Sequence, residues 1–122
     1  MNTQTPALPD SLRALIKAVD KETKWSPQRA VELLRGANLS QDDLLPWAEF
    51  DHPAADSYGR RLVHNGGHYE MMVMAWAPGD VSAIHDHGHT QWGAVQVFGP
   101  AEHAVFWLND GYLFTHSRAC LQ

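Results

Sequence analysis

The chain has a single cysteine, Cys120, so no internal disulfide can form and a reducing, cytoplasmic setting is the simplest expectation. Nothing beside Cys120 would depress its pKa, and it reads as an unreactive structural thiol. Lys and Arg total 9 against 14 Asp and Glu, for a formal net charge of -5, and the basic residues do not cluster. Nucleic acid is therefore not an expected partner, because phosphate binding needs a basic face. No apolar run approaches the roughly 20 residues that span a bilayer, so no membrane partner is expected either. The opening residues 1–7, MNTQTPA, hold neither a basic n-region nor an apolar h-region, and no secretory signal is visible. Repeats and low-complexity segments are missing too. What is there is an ordinary soluble mixture, 44% hydrophobic and 19% charged, in 122 residues that suit one domain, 1–122.

Residues 1–9 carry no pattern and read as a loose tail. Asp10 or Ser11 can cap a helix whose apolar stripe is Leu12, Leu15, Ile16 and Val19, at i, i+3, i+4 and i+7. Ser26-Pro27 starts a second helix, with Ser as cap and Pro at the first helical position, and Gly36 is its expected stop. Ser40 to Asp43 resembles a capping box with Asp in the Glu place; a short third helix follows and stops at Pro46. Residues 51–57 are a loop by composition. Beyond it the pattern turns to strands. Tyr58–His64 and His68–Trp76 flank the turn Asn65-Gly66-Gly67, and Ala104–Leu108 and Tyr112–Arg118 flank Asn109-Asp110-Gly111. The Met71–Met74 run is apolar on both faces, as a strand covered on both sides would be. The expected division is a helical cap over about 1–50 and an all-β part over about 58–122.

The densest chemistry lies between Gly79 and Gly99, in the pattern G-x5-H-x-H-x4-W-x6-G. Side chains alternate faces along an extended chain, so His85 and His87 share a side and can reach one metal ion while Asp86 faces away. Imidazole suits Fe(II), Zn, Cu or Ni alike. His89, past Gly88, is a weaker candidate. Trp92–Phe98 reads as a buried strand. Tyr58 and Arg60 share a face by the same period of two. A guanidinium pointing into a pocket needs an anion, and a bidentate carboxylate would supply one. Arg61 points the other way.

The segment from Gly79 resembles the first signature motif of the cupin superfamily, with Trp92 where a glutamate usually stands. Tyr58-Gly59-Arg60, Trp76-Ala77-Pro78-Gly79 and His85-Asp86-His87, in that order, resemble the cysteine dioxygenase family over roughly residues 58–106. The resemblance implies a mainly β fold, a cupin-like jelly-roll barrel, here incomplete, with the helical cap in front. It implies a thiol dioxygenase using Fe(II) and O2 to convert the thiol of cysteine, or of a related small acid, to a sulfinic acid. His85 and His87 would be metal ligands, Arg60 the clamp on the substrate carboxylate and Tyr58 its neighbour. Trp92-Gly93 is similar to bacterial members, including those acting on 3-mercaptopropionate, and it leaves no cysteine for the tyrosine cross-link that some members form.

The family's third histidine should come from a Pro-x-Gly turn followed by His-x3-Asn, which this chain lacks, as it lacks the late active-site tyrosine. His116 and His103, or more weakly Glu102, are substitutes within the chain, and a symmetric dimer could pool ligands. About five strands cannot close a barrel, and unpaired strand edges invite pairing. A homo-oligomer, or a fragment of a longer chain, is therefore expected. The competing readings are a non-catalytic truncated cupin module that binds a metal or small acid, and a structural remnant whose histidines hold no metal.

Overall fold

The computed structural model describes residues 5–53, 58–82, 90, 92–109 and 111–121. They fall in two compact units, residues 1–83 and 84–122.

In the first unit, α1 spans Asp10–Lys21, α2 Pro27–Gly36 and α3 Gln41–Leu44, which tightens into a 3₁₀ turn at Leu45–Trp47. Leu12, Leu15 and Val19 are buried, as the apolar spacing predicts. The expected cap is different, however. Pro9 occupies the N-cap position with no side-chain bond, and the Ser11 hydroxyl donates to Asp43 Oδ2 at 2.8 Å, tying α1 to α3. That bond, with the backbone N–H of Ser40, holds the Asp43 carboxyl below its usual range. Ser26 does cap α2, accepting from the Arg29 N–H at 3.1 Å. Gly36 is the last helical residue, and the left-handed turn beyond it falls to Asn38 (φ 51°), a residue type that tolerates this conformation. The Ser40–Asp43 capping box forms in both directions.

Strands β1 (Gly59–Asn65) and β2 (Glu70–Ala75) make an antiparallel hairpin, with a bulge between Leu62 and His64. β1 is shifted by one residue from the expected Tyr58–His64, and β2 is shorter than the expected His68–Trp76. The connection runs from Gly66 to Tyr69, closed by the Gly66 N–H on the Tyr69 carbonyl at 3.0 Å. Gly59 is buried where β1 passes the backbone of Glu49; a Cβ there would overlap the Glu49 carbonyl, so no other residue fits.

Leu12, Leu15, Val19 and Trp47 form the core, and Val63, Tyr69, Met71 and Val73 of the hairpin pack against it. Burying each of these leucines contributes about 2 kcal/mol relative to leaving it in water. The Tyr69 hydroxyl donates to Asp20 on α1 at 2.7 Å.

The second unit contains one further hairpin, β3 (Ala101–Asn109) with β4 (Tyr112–Leu121). Its register runs from Asn109↔Tyr112 to Ala101↔Leu121, with a bulge between Val105 and Phe106. Both strands are longer than the expected segments. Residues 92–97 form no strand, contrary to expectation, and Trp92 and Val95 are 38% and 78% exposed. An apolar run marks where a strand would be stable only if a neighbour supplies the ladder; among the described residues none pairs with 92–97.

Among the described residues the sheets are two-stranded and separate, and helices hold nearly as many residues as strands. The mainly β expectation thus becomes a mixed one, helices followed by antiparallel hairpins. It overweighted the strand pattern after residue 58 against the three helices ahead of it. No described helix is long and apolar enough to cross a membrane.

Candidate functional site

In β1, Gly59, Arg61 and Val63 turn toward the core, and Arg60 and Leu62 turn away from it. Cross-strand partners share a face, and the register sets Arg60 opposite Met74 and Leu62 opposite Met72. The outer face of the hairpin therefore carries Arg60 among Leu62, Met72 and Met74. Leu62 and Met74 are 48% and 44% exposed. At the end of this face Tyr58 stacks on Trp76, ring centroids 4.6 Å apart and planes within 20°.

The Arg60 guanidinium is exposed, and its Nη2–H donates to Met72 Sδ at 3.4 Å. A thioether is a weak acceptor. Among the described residues no carboxylate pairs with Arg60, so its donors remain available to an anion. Arg61, one residue on, takes the opposite role. Its Nη1 donates to Glu49 at 3.3 Å, and its guanidinium lies 5.5 Å from the Trp47 ring centroid.

After β2 the chain turns sharply at Ala77–Asp80. The Asp80 N–H bonds to the Ala77 carbonyl at 2.9 Å. Pro78 and Gly79 hold the central positions, and Gly79 has φ 91°, the conformation this turn demands of its third residue. Asp80 Oδ2 in turn accepts from the Ala77 N–H at 2.9 Å. The same oxygen lies 2.9 Å from His52 Nε2, and His52 Nδ1 lies 3.1 Å from the Pro53 carbonyl oxygen. The His52 bond, then the Ala77 N–H, holds the Asp80 carboxyl below its usual range.

His85, His87 and His89 lie outside the described residues. Among the described residues no group of three or more His, Cys, Asp or Glu side chains is placed to hold a metal. His103 on β3 is exposed. His116 is the extra residue of β4 at the bulge, since its neighbours Thr115 and Ser117 pair with the consecutive Phe106 and Val105. Glu102 is engaged by Arg118 Nε at 2.7 Å, which weakens it as a ligand. The structure thus brings Tyr58 and Arg60 together with Trp76, Met72 and Met74. The sequence pattern pointed to the first pair. The methionines could have been read from the same alternation, while nothing local singled out His52 or Asp80.

No solved structure matches this chain. The family model described as cysteine dioxygenase type I matches residues 7–106, so the likeness runs through the helices as well as the hairpin and the histidine pair. The arginine-bearing face and the segment that follows it are part of a chain that belongs to the cysteine dioxygenase family.

Proposed function

We propose that this protein is a thiol dioxygenase, acting on cysteine or a related small thiol carboxylate such as 3-mercaptopropionate. The observation that carries the reading is Arg60: a guanidinium without a carboxylate partner among the described residues, set on an apolar face beside a tyrosine–tryptophan stack. A short carboxylate with a sulfur-bearing arm complements such a surface. The acid engages the guanidinium through two charge-assisted hydrogen bonds, and the arm lies along the methionine and aromatic side chains. Tyr58, held by Trp76, offers a hydroxyl at the edge of that position. The fold reading that goes with it is a cupin-like barrel, to which the two hairpins would contribute strands within one domain.

His85 and His87 are proposed to hold a non-haem ferrous iron, and their imidazole nitrogens fit that ion. The iron would supply the activation of O2 and of the thiol that a dioxygenation needs. His116 and His103 remain the proposed sources of a third nitrogen. This chain's own part is to bind the acid at Arg60 and to limit the ways the thiol can lie. Both atoms of O2 then end on sulfur, and the thiol becomes a sulfinic acid.

The test is oxygen uptake by the iron-loaded protein with cysteine or 3-mercaptopropionate, with mass analysis of the product. The expected product is 32 mass units heavier than the thiol, as two added oxygen atoms require. Iron bound stoichiometrically with no oxygen uptake on either thiol would favour the alternative, a binding module that turns nothing over. No iron bound at all would overturn the dioxygenase reading.

A further inference from the structure

The turn at Ala77–Asp80 is closed twice, by the Asp80 N–H on the Ala77 carbonyl and by the Ala77 N–H on Asp80 Oδ2, each at 2.9 Å. A tight turn with Pro and Gly at its centre does not need the second closure. The carboxylate has a further partner, His52 Nε2 at 2.9 Å, from the loop 28 residues earlier in the chain. Both side chains are largely withdrawn from solvent, 13% exposed for His52 and 21% for Asp80, so this bond is less diluted by water than a surface pair. On the same side of the sequence, Tyr58 and Trp76 stack across the open end of the hairpin. Two links, one hydrogen bond and one aromatic stack, therefore hold the chain before β1 to the chain after β2. The segment that begins at Asp80 runs within five residues to His85 and within seven to His87.

We propose that His52 and Asp80 are positioning residues, a clasp that fixes the point, Asp80, from which the histidine-bearing segment leaves the hairpin. The proposal rests on the reading of His85 and His87 as metal ligands. Neither member of the clasp touches substrate or metal; Asp80 anchors the segment's first residue, and His52 anchors Asp80. A segment departing from a loose turn would sample many directions, and ordering it would be charged against metal affinity.

The test uses the full chain and three variants, His52→Ala, His52→Gln and Asp80→Asn. Two quantities are read: amide hydrogen exchange along the chain, and affinity for Co(II) added alone, followed by its visible absorption. In His52→Ala the turn keeps its own closures and loses the tether to Asp80. Exchange over residues 77–92 is expected to speed up about tenfold, and Co(II) affinity to fall about tenfold, the range of one lost hydrogen bond to a charged group. Protection in α1 and β1 should stay unchanged. His52→Gln restores a donor and should recover most of both effects; Asp80→Asn should show the loss in exchange even if His52→Ala folds poorly. The clasp is overturned if His52→Ala and Asp80→Asn leave both readouts as in the parent, or if protection falls equally everywhere. If the parent binds no Co(II), the ligand reading fails, and the exchange data alone decide whether the clasp orders the segment.

Discussion

On one side of the β1–β2 hairpin, Val63, Met71 and Val73 lie against Leu12, Leu15, Val19 and Trp47. On the other, Leu62, Met72, Met74 and Trp76 surround Arg60, and three of them remain more than 40% exposed. The residue types are nearly the same, so composition does not separate the two faces. What separates them is the charge each one holds and how that charge is matched. Arg61 on the inner side is matched by Glu49 and by the Trp47 ring. Arg60 on the outer side has only a thioether among the described residues. An exposed guanidinium whose neighbour is a weak thioether acceptor keeps its donors open to a ligand carboxylate, and that contrast is why the outer side reads as a binding surface and the inner side as a core.

The contrast is open to direct attack. Trp47→Ala should lower unfolding stability by about 3–5 kcal/mol in urea, whereas Met74→Ala should change it by less than about 1 kcal/mol. Equal losses would mean that the outer face is packed as tightly as the inner one. Arg60→Gln should reduce kcat/KM for the thiol carboxylate by about 100-fold, the worth of a charge-assisted contact, with an unchanged urea midpoint. Arg61→Gln should do the reverse, costing about 1 kcal/mol of stability with activity preserved within about twofold. An Arg61 variant with the larger kinetic defect would exchange the roles of the two faces.

The smallest expected effect concerns the tyrosine that ties the hairpin to α1. Burial, then the hydrogen bond to Asp20, raises the Tyr69 hydroxyl from 10.0 to about 12. The folded state keeps that proton after the unfolded chain has lost it. Its contribution to stability is therefore complete below pH 10 and is lost as pH rises from about 10 to 12. Tyr69→Phe should flatten the alkaline unfolding profile in that window alone. A profile that kept its slope there would place the titration elsewhere.

Much of this was written in local pattern. Ser26-Pro27 and the Ser40–Asp43 box act through bonds made within a few residues, and the sequence announces them. The opposed directions of Arg60 and Arg61 follow from strand alternation alone. The misses are long-range. Ser11 could have capped α1, but a carboxylate 32 residues away takes its hydroxyl. Residues 92–97 have the apolar character of a strand, yet a strand is a pairing, and pairing is not visible along one line of residues. His52 and Asp80 belong with these: each looks like a loop residue until the fold sets them 2.9 Å apart.

The position of the core along the chain bears on the order in which this protein is made. Every buried side chain of that core, and every hairpin residue packed on it, is encoded before residue 74. During synthesis the amino-terminal part emerges first and is free to fold as a unit. The helices and the first hairpin can thus be complete, with Arg60 already displayed, while His85 and His87 are still inside the ribosome.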